Sequence, residues 1–306
     1  MSSSDKHEIY NAVEISHVNK TFNGIRVVDD VSFNIGHGEV FGMVGPNGAG
    51  KTTTIRMLMD IVKPDSGSVN LFGLPLCEDT KNRIGYLPEE RGLYKKVSVI
   101  DSLIYLATLK NMDRNQARER ALELLRQVNM FAHKDKKIQE LSRGMAQIIQ
   151  VLSTILHNPD LVVLDEPFSG LDPVNTSVLK QIILDLKNRG KSIIMSSHQM
   201  NEVETLCDRV LMINRGRVAL YGNLADIRFQ YRNNSIFVSC DHLPEDVPGV
   251  SNVMNHGTHF ELFLEGTTSP QEVLSLLVGK GVAIDRFEIS MPSLNEIFIR
   301  VVEEGR

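Results

Sequence analysis

The stretch Phe41 to Met57, FGMVGPNGAGKTTTIRM, sets glycines 42, 45, 48 and 50 between an apolar run and a lysine followed by three threonines. Glycine inside an element costs about 0.5–1 kcal/mol relative to alanine, so a loop this rich in it requires a reason. Gly45-Pro46-Asn47-Gly48-Ala49-Gly50-Lys51-Thr52 matches the phosphate-binding pattern G-x-x-x-x-G-K-[ST]. The flanks agree with it. Glu39–Val44 is a short apolar run of strand type, and Thr52–Ile61 carries Ile55, Leu58 and Met59 at helical spacing. Backbone N–H groups freed from side-chain crowding converge on an anion, and the start of the following helix adds about half a positive charge. The loop through Thr53 is therefore expected to bind nucleotide phosphates. Lys51 would reach the β- and γ-phosphates, and the Thr52 hydroxyl would ligate magnesium.

Composition bounds the rest. The chain has 306 residues, 42% hydrophobic and 23% charged, which suits one large domain with a smaller companion. A net charge of −5 lacks the basic footprint of a nucleic-acid binder, so no nucleic-acid partner is expected. Cys77, Cys207 and Cys240 are odd in number and lack metal spacing, as expected of reduced thiols. The polar start MSSSDKHEIY has no apolar signal core. No run reaches the roughly 20 apolar residues that span a bilayer, and VSVIDSLIYLATL is interrupted by Asp101 and Ser102. The expectation is a cytoplasmic chain that does not itself enter the membrane.

Residues 8–45 read as short strands with turns. Lys63–Gly67, KPDSG, has the chemistry of a turn and leads into the strand SVNLFG. From about Val97 to Asn129 the spacing is helical, with Ser98 and Asp101 as a capping box and MDRNQARER as a solvated face. A helix is expected from Ser142 to before Pro159, and another from the Asp172-Pro173 cap to Gly190. LVVLDEP and SIIMSSH read as buried strands, and RVLMINRGRVALYG as a hairpin turning at Asn214–Gly216. After Gly222 the character changes to a compact α+β pattern. It comprises a short helix and polar link (223–234), strands at Ser235–Cys240, His259–Leu264 and Val282–Ile289, and helices at Pro270–Val278 and Ser293–Glu303.

Further motifs surround the loop. LVVLDEP ends a buried strand on Asp165 and Glu166, and ligands of open parallel sheets sit beyond the carboxyl ends of strands. Asp165 would hold magnesium through water and Glu166 would polarise the attacking water. IQELSRGMAQ opens a helix at Leu141-Ser142-Arg143-Gly144-Met145, shortly before LVVLDEP. That stretch resembles the signature motif of ABC-type ATPases. SGLD (Ser169–Asp172) resembles their D-loop, His198 in SSHQM their switch histidine, and Phe22 stands where the family stacks an aromatic on adenine. The resemblance spans about residues 10–222.

The resemblance implies an α/β fold of P-loop ABC type over residues 8–222: a mixed sheet, an antiparallel β-subdomain and a helical signature subdomain at about 90–158. Residues 223–306 would form an accessory α+β domain. It further implies two copies paired head to tail, with ATP held between the phosphate loop of one and Ser142 and Gly144 of the other. His198 would contact the γ-phosphate and Asp172 would couple the two sites. Arg143 and Met145 depart from the usual signature, and in IGYLPEERGLY Glu89 replaces a glutamine that touches magnesium and the lytic water. YLPEERGLY and the ending PSLNEIFIRVVEE resemble the ATPase subunits of bacterial sodium- and drug-exporters. The leading expectation is an exporter ATPase held at the inner face of the membrane by a separate permease. The alternatives are a soluble ABC ATPase acting on ribosomes or DNA, disfavoured by the single cassette and acidic charge, and a regulatory nucleotide binder, disfavoured by the intact Glu166.

Overall fold

A computed structural model describes residues 11–304 apart from 91, 233 and 245. The polar start and the expected domain boundary at residue 8 lie outside the described residues. The chain divides into a first unit that runs to Leu224 and a second, Ala225–Glu304.

The first unit opens with β1 (Val13–Phe22), β2 (Ile25–Ile35) and β3 (Val40–Val44), followed by α1 (Lys51–Leu58). Then come β4 (Ser66–Leu71), β5 (Leu74–Pro75), α2 (Glu78–Asn82) and β6 (Ile84–Leu87). Three helices, α3 (Val99–Thr108), α4 (Arg114–Gln127) and α5 (Arg143–Ile155), lead to β7 (Leu161–Asp165) and α6 (Pro173–Asn188). The unit closes with β8 (Ser192–Ser197), α7 (Met200–Leu206), β9 (Arg209–Asn214), β10 (Arg217–Asn223) and the start of α8 (Leu224–Gln230).

Two sheets result. One is antiparallel, in the order β2-β1-β4-β5, with Val13 paired to Ile35 on one side and Leu71 on the other. The second is six-stranded, in the order β10-β9-β3-β8-β7-β6, parallel from β9 to β6, with β10 antiparallel at its edge. Every residue of β3, β7 and β8 is buried, as expected where both faces of a parallel sheet are covered. Phe41, Met43, Ile55, Leu58 and Ile194 join the core between them, each contributing about 1.5–3 kcal/mol on burial.

The helical run expected at 97–129 is two helices. Asn111, at φ 61, ends the first, and Asp113 caps the second by accepting from the N–H groups of Asn115 and Gln116. The Ser98 cap forms half of the expected box. Asp101 N–H donates to Ser98 Oγ, but the Asp101 carboxylate accepts from the Ser98 hydroxyl, not from its backbone N–H.

In the second unit β11 (Ser235–Cys240), β12 (Val250–Asn255), β13 (Phe260–Leu264), α9 (Pro270–Gly279), β14 (Ile284–Ile289) and α10 (Leu294–Glu304) form an α+β fold. Its sheet runs β12-β13-β11-β14, wholly antiparallel, and Val273 and Leu277 of α9 join Ile236, Val238, Leu262 and Leu264 in one core. Strand β12 escapes the sequence reading because it is an edge with five of six residues exposed, so it carries no apolar alternation.

His157, just beyond α5, supplies a test of the packing between α5 and β6. Its Nε2–H donates to the Ile84 carbonyl at 3.1 Å, which leaves Nδ1 bare, buried and without a partner among the described residues. Burial therefore pushes the imidazole down from its ordinary 6.5 to about 4. Below 6.5 the unfolded chain binds the proton that the folded chain refuses, so this contribution is whole above pH 6.5 and is lost as pH falls toward 4. The fall in melting temperature between pH 7 and pH 5 is expected to be smaller in His157→Gln than in the parent. Equal slopes in the two proteins would contradict this account.

Candidate functional site

The phosphate loop is the link from β3 to α1, and the hairpin of β9 and β10 fixes it from outside. Gly216 N–H donates to the Ala49 carbonyl at 2.9 Å, and the Gly216 carbonyl accepts from Asp29 N–H at 2.8 Å. Gly45 sits at φ 150, and a methyl group there would fall 2.2 Å from the Ile213 carbonyl oxygen. Only a residue without a side chain lets the loop lie against β9.

Lys51 folds back into the loop, donating to the Gly45 carbonyl at 2.7 Å and the Pro46 carbonyl at 3.2 Å. It is 5% exposed, and Asp165 and Glu166 beside it are 0% and 8% exposed. Burial draws the ammonium below the usual lysine range, opposed by the negative charges of Glu166, Asp165 and Glu89. The Glu166 carboxylate lies 4.0 Å from the ammonium.

Asp165 ends β7. Its Oδ1 accepts from Ser196 Oγ at 2.5 Å and faces the Thr52 hydroxyl at 3.4 Å, while Oδ2 is buried without a hydrogen-bond partner among the described residues. An unpartnered buried carboxylate oxygen beside a threonine hydroxyl is the hard oxygen chemistry that suits a small divalent cation. Glu166 stands in the left-handed region at φ 51, a conformation that costs a non-glycine residue about 1–3 kcal/mol and persists where the surroundings enforce it. Here its N–H is held by Ser196 Oγ at 2.9 Å and its carboxylate by His198 Nδ1 at 2.8 Å.

A cavity of about 200 Å³ is lined by Asn47, Gly48, Ala49, Gly50, Lys51, Thr52 and Thr53, together with Val27, Glu89 and Glu166. The fold thus brings the loop, Glu89 and Glu166 together, with Asp165 and His198 attached through Thr52 and Glu166. Phe22, Ser142, Gly144 and Asp172 are not among the described lining residues. Phe22 is 43% exposed at the end of β1. Ser142 caps α5 by accepting from Met145 N–H, and Asp172 caps α6 by accepting from Asn175 N–H.

Sequence reasoning passed over two participants. Ser196, which joins Asp165 to the Glu166 backbone, left a faint trace as a polar residue at the end of an apolar strand. Val27 left none, since its place depends on the pairing of β2.

Known proteins bear on this geometry. Residues 28–169 match the family described as ABC transporter, and residues 222–302 match the C-terminal domain of DrrA1-3-like ATP-binding proteins. An uncharacterized ABC transporter ATP-binding protein of Bacillus subtilis, YhaQ, is 40% identical over 94% of this chain and 97% of its own. The chain belongs to the ATP-binding subunits of ABC transporters. It is accordingly an ATPase of the kind that drives transport. The linearmycin resistance ATP-binding protein LnrL of B. subtilis is 27% identical over 94% of this chain and 97% of its own. The solved ATP-binding subunit of an ABC transporter superposes with a TM-score of 0.67 at 29% identity, covering 72% of this chain and 93% of that one. Among the described residues, no helix is long and apolar enough to cross a membrane.

Replacing Lys51 removes a buried charge that faces the loop. A charge-assisted hydrogen bond contributes about 1.5–3 kcal/mol, so Lys51→Ala is expected to weaken ATP binding roughly ten- to a hundredfold. Equilibrium titration with a fluorescent ATP analogue measures this, and an unchanged Kd would contradict the placement.

Proposed function

We propose that this chain is the ATPase subunit of a membrane exporter and works as a head-to-tail homodimer, each ATP lying between the phosphate loop of one copy and the signature segment of the other. One observation carries this reading: among the described residues, none of Ser142–Gly144 lines the cavity around Lys51. The Ser142 hydroxyl and the first N–H groups of α5 suit an anion, and in this reading the phosphate they meet belongs to another copy. Closure on a second copy's γ-phosphate gives them a partner, and hydrolysis withdraws it.

In this reading the loop from Gly45 to Thr53 cradles the phosphates and Lys51 leaves the Gly45 carbonyl for the β- and γ-phosphates. Phe22 stacks on adenine. Thr52, Asp165 and Glu89 would hold magnesium, which would supply positive charge to the phosphates. Glu166, fixed by Ser196 and His198, takes the proton of the attacking water, and His198 faces the γ-phosphate. Asp172 meets the second copy.

A separate membrane-spanning permease supplies the pore and holds the chain at the cytoplasmic face. The groove of about 520 Å³ beside α3, lined by Tyr94, Val97, Ile104, Tyr105, Thr108 and Arg114 among others, suits an amphipathic segment of that permease. Tyr94 and Tyr105 are about half exposed there and meet edge to face at 5.8 Å. Export is favoured by the likeness to the lipopolysaccharide export system ATP-binding protein LptB of Haemophilus influenzae, 34% identical over 66% of this chain and 87% of its own, and the resistance in LnrL's name fits the same direction.

Glu166→Gln keeps shape and hydrogen bonding but removes basicity. Its turnover is expected to fall about 10²–10⁴-fold while ATP binding persists and an ATP-bound dimer accumulates on size exclusion. Ser142→Arg is expected to bind ATP as a monomer and form no such dimer. Equal losses of binding and turnover in Glu166→Gln, with no dimer, would overturn the proposal.

A further inference from the structure

We propose that Arg143 is a positioning residue that fastens the Ser169–Asp172 loop to the start of α5, so that the two segments move as one body. Arginine stands where the resemblance leads one to expect glycine. A methyl group on Gly170 would lie 2.6 Å from Arg143 Cζ, 2.6 Å from Nη2 and 2.9 Å from Nε. Three atoms of one guanidinium at near-equal distance mean that Arg143 meets the loop with its planar face. The contact exists because Gly170, at φ 69, has no side chain to hold the plane away. One residue along, a methyl on Gly144 would fall 2.4 Å from Asn175 Nδ2 and 3.1 Å from Asp172 Oδ2, so the segments touch at a second place.

The loop is in turn tied to Glu166, whose carbonyl accepts from Ser169 N–H at 3.2 Å, while Leu171 N–H donates to the Phe168 carbonyl at 3.2 Å. Arg143 is exposed, and no hydrogen bond or ion pair of its side chain is found among the described residues, so the fastening is by packing of the plane. The inference rests on the head-to-tail reading. In that reading Ser142 senses the other copy's nucleotide, and Arg143, its neighbour, passes the displacement through Gly170 to the backbone of Glu166. Occupancy of one site would then be felt at the general base of the other.

The test uses the full chain with Arg143→Gly, Arg143→Lys, Gly170→Ala and the double variant Arg143→Gly/Gly170→Ala. ATP binding by the monomeric chain, read without turnover, is expected to stay within about twofold of the parent in the Arg143 variants, because in the head-to-tail reading the segment that holds Arg143 serves the other copy's nucleotide. In Arg143→Gly, kcat is expected to fall about tenfold, within the range of coupling between contacting residues, and the Hill coefficient for ATP to fall toward one. Lysine keeps the charge but not the plane, so Arg143→Lys is expected to resemble Arg143→Gly. Gly170→Ala is expected to cost at least about threefold less in the Arg143→Gly background than in the parent, since the clash is gone.

Recovery of kcat and Hill coefficient by lysine would overturn the inference, as would losses at the two positions that simply multiply. Should Gly170→Ala not fold, the comparison of lysine with glycine at position 143 decides alone. If Glu166→Gln forms no ATP-bound dimer, the head-to-tail reading fails and this inference fails with it. If that dimer forms while the Arg143 variants behave as the parent, only the fastening fails.

Discussion

One ammonium and two carboxylates are buried together where β3 and β7 end, and the rest of the first unit is arranged to make that tolerable. An isolated buried charge costs several kcal/mol, and Lys51, Asp165 and Glu166 are each less than a tenth exposed. Lys51 is met by two loop carbonyls, Asp165 by Ser196, and Glu166 by His198. The set still carries a surplus of negative charge and an unpartnered Asp165 oxygen. The phosphate loop beside them suits a nucleotide, and the unpartnered oxygen supports the proposal of a divalent cation bound with it.

The topology makes this possible. Parallel strands aim their carboxyl ends at one edge of the sheet, so β3 delivers the loop, β7 the two acids, and β8 Ser196 and, just beyond it, His198. The β9–β10 hairpin then clamps the loop through Gly216 and Ala49. Glu166 pays a conformational cost at φ 51, held there by a serine from the neighbouring strand. Strain at the residue proposed as general base and order in its supports are two sides of one arrangement.

Much of this was legible in the sequence because its strongest signals are local. Gly45 to Thr52, Asp165-Glu166 and the caps at Ser142 and Asp172 each depend on a few adjacent residues, and the structure puts the loop, Glu89 and Glu166 around one cavity. What escaped depends on pairing across the chain. Ser196 is meaningful only because β8 lies beside β7, and Val27 only because β2 passes the loop. The exposed edge β12 has no buried face to impose alternation, and Asn111, which divides the run at 97–129, is one left-handed residue within a helical pattern. Similarly, nothing in the order of residues could show that Arg143 rests on Gly170.

The central claim is that the site within one chain is completed by the start of α5 from another. A structure of the full chain bound to a non-hydrolysable ATP analogue tests it most directly. The account predicts two copies, with the γ-phosphate against Lys51 of one and within hydrogen-bond distance of Ser142 Oγ of the other. A nucleotide held by the phosphate loop with Ser142 of every copy remote from it, in a sample saturated with the analogue, would contradict the account.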